Sequence, residues 1–236
     1  MKKMMKVVLA GVILLSLAAC GSKEEADKLD TIKDKGVIKV ATSPDYAPFG
    51  FHTTIDGKDK IVGADIEMVE AIAKKMDVKV DWVDMSFNAV LAAAKEGKAD
   101  IAVSAISVTS EREKSFDFTT DYYTSPQVIV INKQNADKLN SIEKLPNIFL
   151  EVKNGSLDGL VVEKTVADAY VNQNPELMIA EIPLKSMKED SLCIAVPKGN
   201  EKLVKELDKH IKEMKADGTI DKMVEENNQL AQKGGE

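Results

Sequence analysis

Arginine is nearly missing from this 236-residue chain: Arg112 is the one arginine among 32 basic residues, and every other is lysine. Where a positive charge only keeps a surface soluble the sequence uses lysine, so the lone guanidinium marks a place that needs a planar, always-charged fork. The natural partner of that fork is a carboxylate. Histidine is almost as scarce, His52 and His210 lying far apart with no ligand-spaced cysteine or carboxylate cluster beside either. No metal site is readable and no Ser-His-Asp or Cys-His nucleophile can be assembled, so neither a metal nor a cofactor is expected. A basic stripe is missing too. The lysines are interleaved with 39 acidic residues for a net charge of −7, which gives nucleic acid no surface to bind. Aromatic residues are few at 5%, but 44% apolar content in a chain this long still supplies one large core or two modest ones.

What is present begins with a targeting segment. Lys2, Lys3 and Lys6 form a basic start, Val7 to Leu17 an apolar stretch, and Leu17-Ala-Ala-Cys20 a small-residue cleavage site ending in cysteine. The apolar stretch is too short to span a bilayer comfortably. Leu17-Ala-Ala-Cys20 resembles the lipobox of bacterial lipoproteins, which implies removal of residues 1–19 and a lipid on Cys20. Residues 20–34 then read as a polar tether to the outer face of the membrane. Cys193, left without a partner in the mature chain, lies in the apolar run Ser191 to Val196 and reads as a small buried hydrophobe.

Beyond the tether, strand and helix patterns alternate. Val37 to Ala41 is a β-branched run, and Thr42 to Gly50 is a turn region with two prolines. Asp65 to Met76 places Ile66, Val69, Ile72, Ala73 and Met76 on one helical face. Val78 to Val83 alternates as a strand, Phe87 to Lys95 reads as a helix stopped by Gly97, and Ile101 to Ile106 as another strand. Such alternation predicts an α/β fold, a parallel sheet with helices on both faces. Ligands in these sheets bind beyond the carboxyl ends of the strands. That rule gathers the loops Ser43 to Phe49, Met85 to Phe87 and the segment after Ile106 at one edge. Ser107 to Arg112 reads there as a helix start, with Ser110 and Glu113 at capping-box spacing. A helix start offers unpaired N–H groups and the positive end of a dipole, and Arg112 adds a full charge. A bound carboxylate would meet all three.

Several segments taken in order resemble the polar amino acid-binding family (family 3) of bacterial extracellular solute-binding proteins, which serve ABC uptake transporters. They are Ala41-Thr-Ser-Pro-Asp-Tyr-Ala-Pro-Phe49, Gly63-Ala-Asp-Ile-Glu67, Gly97-Lys-Ala-Asp-Ile-Ala102, Ser107-Val-Thr-Ser-Glu-Arg112 and Phe116-Asp-Phe-Thr119. The likeness continues through Ala195-Val-Pro-Lys-Gly-Asn200 to Ala216-Asp-Gly-Thr219. It implies a two-lobed, periplasmic-binding-protein-like fold of type II, with an amino acid held between lobes that two crossing strands join. Lobe 1 would occupy residues 35–124 and return over 190–236, with lobe 2 at 125–189.

By the same resemblance, Tyr46 and Phe87 match positions whose rings pack on the ligand. Ser104, Ala105 and Ser107 match hydrogen-bonding positions, and Arg112 matches the arginine that grips the α-carboxylate. In Asp158-Gly-Leu-Val-Val-Glu163, Glu163 stands where an acid, usually aspartate, accepts the α-amino group. Each assignment has a structural competitor. Tyr46 and Phe87 also suit a core, Ser107 a helix cap, and Arg112 a surface pair with Glu111, Glu113 or Asp117.

One departure from the family pattern stands out. After Val128 to Asn132, Ser141-Ile-Glu-Lys-Leu-Pro146 runs almost at once into Asn147-Ile-Phe-Leu-Glu-Val-Lys153 and then Asp158 to Val162. Lobe 2 therefore reads as shortened by roughly 30–40 residues, about one βαβ step. A lost strand leaves edges unpaired, so lobe 2 is expected to be small and loosely packed. The implied function is non-enzymatic: a monomer, anchored through Cys20, captures a polar L-amino acid by lobe closure and hands it to a membrane permease. Two other readings stand beside it. One is a dehydratase-like enzyme on the same scaffold with Glu163 as general acid. The other is a surface lipoprotein that has lost transport.

Overall fold

The computed structural model describes residues 27–133, 159–185 and 190–233. The targeting segment, Cys20, the first part of the tether, Ser141 to Lys153 and Asp158 lie outside the described residues.

The chain enters through α1 (Lys28–Lys35), whose N-cap Asp27 accepts from the Leu29 amide and whose stop is Gly36 at φ 66. Within the span 20–34 expected to be a tether, residues 28–34 are therefore helical. Leu29 and Ile32 lie three apart on one helical face and both are buried, which docks the helix on the body. Next come β1 (Val37–Thr42), β2 (Asp45–Tyr46), β3 (Gly50–Ile55) and β4 (Lys58–Val62), then α2 (Ala64–Lys75), β5 (Lys79–Asp84), α3 (Phe87–Lys95) and β6 (Ile101–Ala102). They are followed by a 3-10 turn at Arg112–Lys114, β7 (Phe116–Phe118), β8 (Tyr123–Thr124) and β9 (Gln127–Asn132). After the gap in the described residues come β10 (Gly159–Glu163), α4 (Lys164–Gln173) and β11 (Leu177–Ile179). β12 (Ser191–Leu192), β13 (Ala195–Pro197), α5 (Glu201–Ala216) and α6 (Thr219–Lys233) close the chain.

Lobe 1 is built on a five-stranded sheet in the order β5-β1-β6-β13-β7. β1 pairs in parallel with β5 and β6, as alternation predicts, while β13 runs antiparallel to β6 and β7. The parallel reading fails at β13 because that strand belongs to the returning chain. Side chains alternate across β1: Ile38 and Val40 enter one core with Met68, Ile72, Leu203, Leu207 and Ile211, while Ala41 enters the other with Val90, Ala94 and Phe116. Helices therefore cover both faces, α2 and α5 on one and α3 on the other. The second sheet, β10-β9-β11, is antiparallel, with Glu163 opposite Gln127 and Ile179 opposite Val130. Among the described residues its core contains Ile129, Ile131, Ala180 and Ile182. Between the lobes, β8 and β12 pair antiparallel as crossing strands.

Two local expectations are corrected here. Ile101 to Ile106 is not one strand: only Ile101 and Ala102 join the ladder, and at Ala105 the backbone turns left-handed with φ 46. Nor does Ser107 start a helix. It forms an isolated bridge with Leu192, and the Cys193 amide donates to the Ile106 carbonyl at 2.9 Å. Pairing with the returning chain keeps this stretch extended, which delays helical geometry to the single turn at Arg112–Lys114. That turn is not capped by the Ser110–Glu113 box; Thr109 Oγ1 accepts from the Arg112 amide at 3.2 Å.

Candidate functional site

The first aromatic contact is set by a close backbone approach. Gly63, at φ 136, lies against the Tyr46–Phe49 loop so tightly that a Cβ would sit 2.1 Å from the Phe49 carbonyl oxygen. Only glycine fits there. The next two amides bind the same loop, Ala64 N–H to the Pro48 carbonyl and Asp65 N–H to the Phe49 carbonyl, each at 2.9 Å. Phe49 is fully buried, stacks on Tyr46 at 6.0 Å between centroids and meets Tyr123 edge-on at 5.5 Å. Tyr46 stays half-buried at the rim, so Phe49 is the core ring and Tyr46 the presented one.

Phe87 opens α3 and is 39% exposed, too open to be a core residue. The Arg112 guanidinium lies over its ring, 5.7 Å from the centroid, within cation–π range. Arg112 Nη1 donates to the Ser107 carbonyl at 2.7 Å. Burial pushes the guanidinium below its usual range, where an ion-paired acid would push it the other way. Two of the acids that could pair with it at the surface are engaged elsewhere: Glu111 with Lys114, and Asp117 with Lys198 at 2.8 Å. The structure thus brings Phe87, Ser107 and Arg112 together as one unit.

Ser104 and Ala105 also make contacts within the protein. The Ser104 hydroxyl is buried, donates to the Ser43 carbonyl at 3.1 Å and accepts from the Ser43 amide at 3.3 Å. It ties the end of β6 to the end of β1. Ala105 has only its backbone to offer, and its N–H is already committed to Asp65 Oδ2 at 2.8 Å. Both residues shape the loop.

Glu163 closes β10 on the second lobe. Burial raises its carboxyl above the usual range, Tyr46 lowers it and Asp190 raises it further. Its Oε2 is buried without a hydrogen-bond partner. Tyr46 is in turn pushed up, by burial first and then by Glu163. Ring and acid, 117 positions apart by their numbers, therefore face each other across the two lobes. Sequence reading misses Asp65. It is 1% exposed at the start of α2, and burial raises its carboxyl to about 7. Its one signal is a charged residue placed just after Gly63, in a segment that otherwise reads as a helix start.

Residues 38–228 match the bacterial extracellular solute-binding proteins, family 3. The chain is 29% identical over 255 residues to the arginine-binding extracellular protein ArtP of Bacillus subtilis (strain 168), covering 94% of this chain and 96% of that one. It is 34% identical over 193 residues to a probable histidine-binding protein of Campylobacter jejuni, covering 81% of this chain and 73% of that one. Its structure is similar to an amino acid ABC transporter substrate-binding protein from Streptococcus pneumoniae, solved bound to L-arginine. The TM-score is 0.74 at 32% identity, over 86% of this chain and 98% of that one.

Proposed function

The chain belongs to the bacterial extracellular solute-binding proteins, family 3, and from that premise we propose that it captures a polar L-amino acid and delivers it to an ABC-transporter permease. The observation that carries this reading is a pair of partly desolvated opposite charges on different lobes. Arg112, over Phe87, takes the α-carboxylate, and Glu163, beside Tyr46, takes the α-ammonium. Each charge is worth more here than on an open surface because burial reduces screening by water. Closure of the lobes completes both contacts at once. No bond of the ligand is broken.

The lipid on Cys20 holds the monomer at the outer face of the bacterial membrane, close to its permease. Lobe 2 is shortened. The ArtP alignment supports this, since its 255 positions cover only 94% of a 236-residue chain and so leave gaps here. Basic amino acids are the first to test, because ArtP is named for arginine and the pneumococcal relative was solved with it.

Calorimetric titration of the purified protein with the twenty amino acids decides the matter. Saturable heat with one or a few polar amino acids is expected, and a ligand at a hundred times its Kd should stabilise the fold by about 2.7 kcal/mol. Absence of both heat and thermal stabilisation at millimolar ligand would overturn the capture reading in favour of a lipoprotein that has lost transport. Turnover of a cyclic acid such as prephenate would overturn it in favour of a dehydratase using Glu163 as general acid.

A further inference from the structure

Asp65 is bonded to both ligand-presenting loops of lobe 1. Its N–H donates to the Phe49 carbonyl at 2.9 Å, at the foot of the Tyr46 loop. Its Oδ2 accepts the Ala105 N–H at 2.8 Å, between Ser104 and Ser107 and 40 positions along the chain. Asp65 stands inside α2 (Ala64–Lys75), after the N-cap Gly63, and its carboxylate bonds to a different segment.

The segment it reaches is strained. Ala105 sits at φ 46, a region L-residues avoid because Cβ crowds the backbone. Such a conformation persists only where the surroundings enforce it. The amide of that residue is the one Asp65 grips. Downstream, the Ser107 carbonyl receives Arg112 Nη1 at 2.7 Å. The carboxylate therefore stands at the head of a chain of contacts that ends at the lone guanidinium. The site is closed from water, with Asp65 1% and Tyr122 2% exposed. Inside it the Tyr122 hydroxyl lies beside the Asp65 carboxyl and favours its charged form.

We propose that Asp65 is a positioning residue for ligand recognition: its carboxylate locks the left-handed turn at Ala105 and so fixes Ser107 and Arg112 for the incoming carboxylate. The role rests on the amino acid-capture reading for its ligand, but not for its effect on the loop. Asp65→Ala should leave Ala105 unsupported. Asp65→Asn keeps an oxygen acceptor for the same amide, and Ala105→Gly removes the reason support is needed.

The test has two arms on the purified full chain. In the first, hydrogen exchange is followed without ligand. Asp65→Ala should speed exchange over Ser104 to Arg112 by about tenfold or more relative to the rest of lobe 1, with Asp65→Asn close to wild type. Adding Ala105→Gly to Asp65→Ala should not slow that exchange, since glycine supplies no hydrogen bond. In the second arm, amino acid affinity should fall about tenfold or more in Asp65→Ala and recover by about threefold or more in Asp65→Asn and in Asp65→Ala/Ala105→Gly. Uniformly faster exchange across lobe 1, or an Asp65→Ala protein that exchanges and binds like wild type, would overturn the proposal. Wild type that binds no amino acid would sink the capture reading alone, and the exchange arm would still decide the role of Asp65.

Discussion

Replacing Arg112 by lysine keeps one positive charge and removes the fork. In the structure one of the five guanidinium N–H donors is already used, Nη1 giving its hydrogen to the Ser107 carbonyl at 2.7 Å. The guanidinium carbon lies 5.7 Å from the centroid of the Phe87 ring. An ammonium on a flexible stem cannot hold the Ser107 carbonyl and also meet both oxygens of a carboxylate. At least one charge-assisted hydrogen bond to the ligand is lost, about 1.5–3 kcal/mol, which is roughly 10- to 150-fold in Kd. Arg112 is only half-buried, so water screens part of this and the lower end is expected, roughly 10- to 40-fold. Titration calorimetry of wild type, Arg112→Lys and Arg112→Ala with the amino acid that wild type binds gives the answer. Arg112→Ala should be weaker than Arg112→Lys. A lysine variant within about twofold of wild type would show that Arg112 contributes charge and no fork; an alanine variant within the same limit would remove Arg112 from the site.

Glu163→Gln tests the other end of the ligand: affinity at pH 7 should drop by roughly tenfold or more through loss of a charge-assisted bond. In wild type, affinity should fall as pH is lowered through the raised range of Glu163 and level off above it, because only the carboxylate binds ammonium. Stability without ligand should move the opposite way. A carboxyl whose folded pKa is raised stabilises the fold when protonated and loses that contribution as pH rises through the folded value. Ligand-free Glu163→Gln should therefore melt slightly higher than wild type at pH 7 in thermal unfolding. Gly63→Ala places a Cβ 2.1 Å from the Phe49 carbonyl oxygen at φ 136. It should cost on the order of 3–5 kcal/mol and lower the melting temperature by roughly 10 °C or more. A melt unchanged within experimental error would show that the Tyr46 loop moves freely against α2.

Much of lobe 1 is legible in the sequence because local pattern and tertiary burial agree there. Ile66, Val69, Ile72, Ala73 and Met76 recur at helical spacing, and all five are buried. The helix over Phe87–Lys95 stops before Gly97, which takes a left-handed φ of 74 that glycine adopts without cost. α1 escapes such a reading because its apolar content is two residues, Leu29 and Ile32, in an otherwise charged segment. Such a helix owes its stability to docking, and docking leaves no periodic mark in the sequence.

The site is half legible for a related reason. The rarity of arginine singles out Arg112 by composition alone, but the platform beneath it, Phe87, lies 25 positions away by number and is paired with it only in three dimensions. Ser104 to Ser107 misleads outright. Its apolar and small residues favour a continuing strand, and its serines suggest a helix start. The backbone follows neither, because Asp65 holds Ala105 from one side and Leu192 pairs with Ser107 from the other. A glycine at 105 would have announced the turn in the sequence and satisfied it locally, while leaving the loop free to sample other shapes. Alanine gives no such warning, and held by a buried carboxylate it restricts the turn to one conformation. Local preference fails here because distant partners shape the loop, and the stretch it misreads is the one proposed to meet the ligand.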